Sequence, residues 1–383
     1  MQDDSLKRHA PAGTQDYLPA ACRHKRSLEA VLRGVFERAG YDEIETPVFE
    51  HYDVFTHDAV PYVQEEIVKF FDRQGRILAL RPDVTGPIAR MSATKLLPSP
   101  EPLRLFYMGN VYGLRRPGEQ VESAQAGVEL IGADGTYADA ETVALAIESL
   151  RSLGLESFSI EIGQVAYFRG LLAGTDLSER QREQIRHLIN DKNSVELEYT
   201  LSRLQLSGQT KQALLELPGL FGGAEALDRA SGDSDMCREA LDNLRSVLKV
   251  LEAYGMTSYI SVDLGLLHDF QYYSGLIFRG LASDIGRPVL SGGRYDGLLG
   301  EFGCEAPATG FAIRLTRLMR ALGMESEPAE RPLMLRFEAD EAGQAAALAR
   351  RLRSRGRRVV LAGPQAPADA LDWNGPEIEE LLC

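Results

Sequence analysis

LRLFYMGNVYGLRRPGEQVESAQAGVELI, residues 103–131, holds two apolar-rich runs, Leu103 to Val111 and Gln125 to Ile131, around a polar loop, Gly113 to Ser123. Each run reads as a strand, and the loop between them as the connection of a hairpin-like pair. Upstream, Ile67 to Phe71 and Arg76 to Leu80 flank Asp72-Arg73-Gln74-Gly75, a second hairpin. A helix is expected from Val84 to Lys95, ended by Pro98 and Pro100. Leu28, Val31, Leu32, Val35, Phe36 and Ala39 share one helical face, with Gly40 as its stop, and Tyr41 to Glu50 reads as extended chain around Pro47.

Downstream, Val143, Ala146, Ile147, Leu150 and Leu153 predict a long helix, and Phe158, Ile160 and Ile162 a strand. Phe168 to Gly255 has helical spacing throughout and no convincing strand, so it reads as a helical insertion. Strand signals resume at Tyr259 to Leu264, Tyr272 to Phe278 and Pro288 to Ser291, and a helix is expected from Ala312 to Leu322. After a linker-like stretch come strand (Leu333 to Phe337), helix (Ala342 to Arg355) and strand (Arg358 to Leu361). Strands in hairpin-like succession, with helices set apart, argue an α+β fold over a doubly wound one. The expected organisation is a discontinuous core (1–166 and 257–324), an insertion (167–256) and a short C-terminal segment (325–383).

Composition narrows the function. The 383 residues are 44% hydrophobic and 26% charged, enough for sizeable cores and far from a disordered chain. No run approaches the roughly 18 apolar residues of a membrane span, and the polar start, Met1 to Arg8, predicts no secretory signal. A net charge of −14 argues against a coat of positive charge for nonspecific nucleic-acid binding. Cys22, Cys237, Cys304 and Cys383 lack the paired spacing of a zinc site and the density of a disulfide scaffold. The expectation is a soluble, cytoplasmic protein without metal or cofactor.

Four places carry candidate chemistry. Asp83 and Thr85, in Leu80-Arg81-Pro82-Asp83-Val84-Thr85, stand where a strand meets a helix, so they can cap it, hold an ammonium ligand, or do both. Gln125, Gly127 and Glu129 share one face of their strand. That face is either a solvent-exposed sheet surface or the floor of a site for a polar small molecule. Tyr272 and Tyr273 lie on a predicted strand, so only one of them points to each side. Ser291-Gly292-Gly293-Arg294-Tyr295-Asp296-Gly297 reads as a turn, and lacks the Gly-Lys-Ser/Thr ending of a phosphate loop. Six arginines between Arg350 and Arg358 spread around a helix and read as a solvated face.

Taken in order, these pieces resemble the class II aminoacyl-tRNA synthetase core, in its histidyl branch. Thr14-Gln15-Asp16-Tyr17-Leu18-Pro19 resembles its opening motif, and Glu45-Thr46-Pro47 with Glu50 and Phe55 resembles motif 1, the dimer-forming element. The Arg81-Pro82-Asp83 segment resembles the amino-acid-binding segment, usually with Glu where Asp83 stands. Gln125 to Glu129 and Gln271-Tyr272-Tyr273 resemble the two histidine motifs, and Gly310-Phe311-Ala312 through Leu318 resembles motif 3.

The departures fall on the nucleotide half. Gly113 follows Tyr112 where the synthetases carry a phosphate-holding arginine, and His268 stands where a second arginine is expected. The loop of the motif 2 region, which Gly109 to Glu129 resembles, is about two residues short, and Arg314 replaces the motif 3 glycine. Fixed cationic donors at a transferring phosphoryl group often carry about 10²-fold or more in rate. Only 65 residues follow Leu318, too few for the usual anticodon-binding domain. An amino-acid site kept without its nucleotide site resembles the regulatory-subunit family of ATP phosphoribosyltransferase. That resemblance implies a non-catalytic chain that binds histidine through Asp83, Thr85, Gln125, Glu129, Tyr272 and Tyr273. It also implies a short-form catalytic subunit as partner, self-dimerisation through the motif 1 region, and no tRNA. The competing reading is an amino-acid-activating ligase.

Overall fold

A computed structural model describes residues 6–56, 63–114, 120–232, 234–267, 272–283, 285–324, 331–367 and 370–373. The chain forms two units, residues 1–325 and 326–383. In the first, helix α1 (Pro19–Arg38) precedes strands β1 (Asp42–Glu43) and β2 (Phe49–His51), and the hairpin β3 (Lys69–Phe71) and β4 (Ile77–Leu80) leads into α2 (Thr85–Met91). Then come β5 (Leu103–Tyr112), β6 (Glu122–Ile131), α3 (Thr136–Ser152) and β7 (Phe158–Gln164). Helices α4 (Val165–Leu172), α5 (Glu179–Asn190), α6 (Ser194–Ser202) and α7 (Gly208–Glu216) follow, then β8 (Phe221–Gly222) and α8 (Asp235–Ala253). The remainder is β9 (Ile260–Asp263), β10 (Leu276–Ala282), β11 (Leu290–Arg294), β12 (Ala308–Arg314) and α9 (Leu315–Ala321).

Nine strands pair in the order β1-β5-β6-β12-β11-β10-β7-β9-β8. The pairing is antiparallel except at β1/β5 and β7/β9. The fold is α+β, as the strand succession predicts. Residues 103–131 form the expected hairpin, with Tyr107 opposite Gly127 and Gly109 opposite Gln125.

Period-2 alternation sorts the sheet into two faces. Phe106, Ala126, Val128, Phe278, Phe311 and Ile313 join one core with Leu32 and Phe36 of α1 and Ile147 of α3. Leu105, Tyr107, Ile131 and Ile277 join a second core on the other face with Ile88 of α2. α1 ends where expected, with Gly40 at φ +82°, a conformation that favours glycine.

Several expectations need correction. Tyr41 to Glu50 is not one strand. Pro47 lacks the N–H that a ladder needs, so β1 pairs with β5 while β2 joins β4 and β3 in a separate sheet. The insertion is not purely helical, since β8 pairs with β9. The strand expected from Tyr272 starts only at Leu276, because the Ser274 amide turns back to the Arg294 carbonyl. The helix expected from Ala312 begins after Arg314, because Ala308–Arg314 pairs with both β6 and β11.

Ser291 to Arg294 is strand rather than turn, and its glycines are there for lack of room. A Cβ on Gly292 would lie 2.4 Å from the Gly310 carbonyl oxygen and 2.6 Å from the Phe311 Cβ.

The second unit is a parallel sheet, β14 (Val359–Leu361), β13 (Leu333–Arg336) and β15 (Leu371–Asp372), with α10 (Ala342–Ser354). The strand β15 was not expected. Leu335, Ala349, Leu352 and Val359 form its small core. Arg353, one of the arginine run, is not simply solvated, since it donates to the Val359 carbonyl at 2.7 Å. No helix among the described residues is long and apolar enough to cross a membrane.

Crowding at Gly292 leads to a prediction. Gly292→Ala should lower unfolding free energy by about 1–3 kcal/mol in urea titrations, as overpacking does. Gly208→Ala, where nothing lies within 4 Å, should change it by no more than about 0.5 kcal/mol.

Candidate functional site

On the α2-facing side of the sheet, the register lays out a floor three rows deep. Glu129 lies between Leu105 and Gly310, Gly127 between Tyr107 and Ala312, and Gln125 between Gly109 and Arg314. The face holding Gln125 and Glu129 is not solvent-exposed, because α2 and the segment before β10 cover it. Glu129 is 2% exposed and Gln125 6%.

Thr85, in the first turn of α2, donates to Glu129 Oε1 at 2.8 Å, and the Tyr295 hydroxyl donates to Glu129 Oε2. Gly310 makes room for this carboxyl, because a Cβ there would lie 2.1 Å from Glu129 Oε2. Asp83 accepts from the Gly86 amide at 2.9 Å, so it caps α2. Behind it, Arg81 donates to the carbonyls of Asn110 (2.9 Å) and Thr46 (2.8 Å), tying the α2 entry to β5 and to the motif 1 region.

Because they precede β10, the two tyrosines are not divided between the faces. Tyr273 packs on the α2-facing side with Tyr295 and Ile277, and Tyr272 stacks on Tyr295 at a centroid distance of 5.3 Å. They meet edge to face at 4.9 Å. Their anchor is a buried polar cluster. Arg294 pairs with Asp139 of α3 at 2.9 Å and with Asp296 at 3.0 Å, and Asp296 accepts from the Ser274 hydroxyl at 3.0 Å.

Burial dominates the electrostatics. It pushes the Glu129 carboxyl up to about 8 against the pull of the Tyr295 and Thr85 hydroxyls, and nearby Asp83 adds to the rise. Asp83 stays partly open to solvent, yet burial pushes it up to about 6 against the Gly86 and Thr85 amides. The Tyr107, Tyr272 and Tyr295 hydroxyls lie well above their ordinary range, so they remain neutral. Two carboxyls that a cation would ionise, beside neutral hydroxyls and a glycine-floored slot, can hold an amine or imidazole group.

The structure thus brings together Asp83, Thr85, Glu129, Tyr272 and Tyr273, and places Gln125 two rows along the same strand face. Reading the sequence missed Tyr295, whose role follows only from the pairing of β11 with β12, and Tyr107, which a period-2 reading of Leu103 to Val111 puts opposite Phe106. Gly113 closes the β5–β6 hairpin by donating to the Val121 carbonyl at 2.8 Å. His268 lies outside the described residues. A groove of about 730 Å³ along α3, beside the residues that follow α1 and α8 and lined by Arg104, Tyr137, Glu141 and Tyr254, includes none of these residues. Its Arg104 is already paired with Glu141 at 2.8 Å.

The sheet and its polar floor define a class II synthetase-like protein of the histidyl type. The family model described as histidyl-tRNA synthetase matches residues 13–318. A histidyl-tRNA synthetase from Nostoc sp. shares the fold, with a TM-score of 0.79 over 94% of this chain and 86% of that one, at 21% identity. Closer similarity lies in one branch. The ATP phosphoribosyltransferase regulatory subunit of Acetivibrio thermocellus is 44% identical over 330 residues, 85% of this chain and 79% of that protein. That of Bacillus thuringiensis is 37% identical over 93% of this chain and 86% of its own length. A Bacillus halodurans structure, described as an ATP phosphoribosyltransferase regulatory subunit/histidyl-tRNA synthetase, superposes with a TM-score of 0.86 at 35% identity, covering 94% of each chain. The chain belongs to the ATP phosphoribosyltransferase regulatory subunit family.

Glu129 gives a pH-dependent prediction. Its folded pKa, about 8, lies above its ordinary value of 4.5, so between those values the folded chain keeps a proton that the unfolded chain releases. Stability should therefore fall as pH rises from about 4.5 to 8 and level off above. Glu129→Gln cannot ionise and should flatten that part of the curve in urea unfolding measured across pH. Parallel curves for parent and variant would refute the assignment.

Proposed function

We propose that this chain is a histidine-sensing, non-catalytic subunit that controls phosphoribosyl transfer by a short-form ATP phosphoribosyltransferase catalytic subunit, in a cytoplasmic hetero-oligomer. The observation that carries the reading is the Asp83, Thr85, Glu129 and Tyr295 constellation over a glycine-lined floor. It suits a small amino acid with a second basic group. Asp83 and Thr85 would take the ammonium, and Gln125, Glu129 and a tyrosine the other polar groups.

The names of the relatives support a regulatory role and imply the catalytic partner. Gly113, where the resemblance leads one to expect a phosphate-holding arginine, supports binding without activation: glycine has no side chain to hold a phosphate. Self-association through the motif 1 region around Thr46 belongs to the same proposal.

Control of a partner requires coupling between two sites, typically about 1–3 kcal/mol, and the coupling is reciprocal in binding free energy. Charge-assisted bonds to the ligand should each matter by about 1.5–3 kcal/mol. Asp83→Ala or Glu129→Ala should each weaken histidine binding about tenfold or more by calorimetry.

In complexes reconstituted with the catalytic subunit, either substitution should remove histidine inhibition of phosphoribosyl transfer while the complex still forms. Inhibition unchanged from the parent complex would place sensing elsewhere. A separate assay addresses the ligase alternative. The chain alone should show no histidine-dependent exchange of pyrophosphate into ATP, and exchange at synthetase-like rates would overturn the non-catalytic reading.

A further inference from the structure

The insertion reaches the amino-acid site through two arginines. Helix α4 leaves the sheet directly from β7, where the Val165 amide donates to the Gly275 carbonyl at 3.0 Å. One turn further, Arg169 Nη2 donates to the Tyr273 carbonyl at 2.9 Å. In α5, Arg186 Nη1 donates to the Leu267 carbonyl, also at 2.9 Å, while Glu183 takes its Nε and Nη2. Leu267 precedes the Gln271-Tyr272-Tyr273 motif and Tyr273 ends it, so the insertion holds one carbonyl ahead of the motif and one at its close.

Apolar packing fixes where these arginines start. Phe168, Leu171 and Leu172 of α4 share a core with Ile185 and Ile189 of α5 and with Leu244 and Val247 of α8. Burial lowers the Arg169 pKa, yet a guanidinium keeps its charge in proteins. Its bond to the Tyr273 carbonyl is therefore charge-assisted, and a shift of α4 by about 1 Å would break it. Beyond that carbonyl, the Tyr273 ring meets Tyr272 edge to face, Tyr272 stacks on Tyr295, and the Tyr295 hydroxyl donates to Glu129. Contact runs unbroken from α4 to the buried carboxyl.

Arg182 of α5 behaves differently. It donates to the Leu177 and Thr175 carbonyls at 3.1 and 3.2 Å, so both of its bonds stay inside the insertion. Arg169 and Arg186 instead leave the insertion, spanning 104 and 81 positions to their acceptors.

We propose that the insertion is a positioning arm for the amino-acid site. Arg169 and Arg186 are positioning residues: they hold the tyrosine pair against Tyr295 and couple occupancy of the site to helices α4 and α5. The role rests on the proposed amino-acid site and adds the part of the fold that registers its occupancy. Equilibrium coupling is reciprocal, so whatever fixes α4 and α5 also tightens the site.

The test uses the full chain, with histidine binding followed by calorimetry and amide hydrogen exchange followed with and without saturating histidine. In the parent, histidine should slow exchange of the Phe168 to Leu172 and Ile185 to Ile189 amides by about threefold or more, as stabilised local opening requires. Arg169→Ala and Arg186→Ala should each weaken histidine binding about tenfold, within the usual range of coupling between sites, and abolish that slowing. Arg169→Lys keeps a charged donor and should recover most of the affinity. Arg182→Ala should lower the urea midpoint yet leave histidine affinity within about twofold, because a loss confined to the insertion is a stability effect alone.

Arg169→Ala and Arg186→Ala chains that fold and bind histidine like the parent would overturn the positioning role and leave the amino-acid site standing. Equal weakening by Arg182→Ala would overturn it too, since general loosening of the insertion would then suffice. Should Arg169→Ala fail to fold, Arg186→Ala and the parent decide: exchange in α4 and α5 that ignores bound histidine refutes the coupling. A parent that binds no histidine would sink the amino-acid site itself, and the arm with it.

Discussion

A carboxyl group buried on a central strand constrains everything around it. Removing a carboxylate from water without partners is costly enough that the group keeps its proton instead. Glu129 meets this cost through the Thr85 and Tyr295 hydroxyls and through a raised pKa. Those two donors come from α2 and from the residue after β11, so the carboxyl joins elements that are distant in sequence. Gly310 must lack a side chain for the carboxyl to lie flat between them.

The rest of the molecule holds that arrangement in place. One face of the sheet is apolar and packed by helices, with Phe106, Phe278 and Phe311 fully or nearly buried there. The other face sets the Glu129 cluster within a second apolar core, and two buried arginines brace it. Arg81 fastens the chain entering α2 to β5, and Arg294 fastens the segment of the two tyrosines to α3. Both work as buried cations with multiple acceptors, the arrangement in which arginine is most useful. A rigid sheet floor and loop-borne differences allow one fold to serve distinct functions. Gly113, at the end of the β5–β6 hairpin, contributes only its backbone there.

Local patterning made much of this legible. The two strands within residues 103–131, the hairpin around Asp72 to Gly75, the stop at Gly40 and the common face of Gln125, Gly127 and Glu129 all follow from periodicities of two or 3.6 and from turn residues. These signals act over a few residues and need no knowledge of the partner strand. They fail where pairing decides. The run from Ser291 has the composition of a turn, yet two neighbouring strands claim it as β11. Ala312 to Arg314 has helical spacing, but β6 and β11 hold it extended.

The sequence by itself determined the α+β class, the hairpin within residues 103–131 and the common face of Gln125, Gly127 and Glu129, because those depend on local spacing. Only the tertiary structure decided that Glu129 and Gln125 are buried, that Tyr272 and Tyr273 precede their strand, and that the Tyr295 hydroxyl meets Glu129. Burial and facing depend on which strand lies alongside and which helix lies above. Those are contacts between residues distant in sequence, as Tyr295 and Glu129 are at 166 positions, and no periodicity within either segment encodes them.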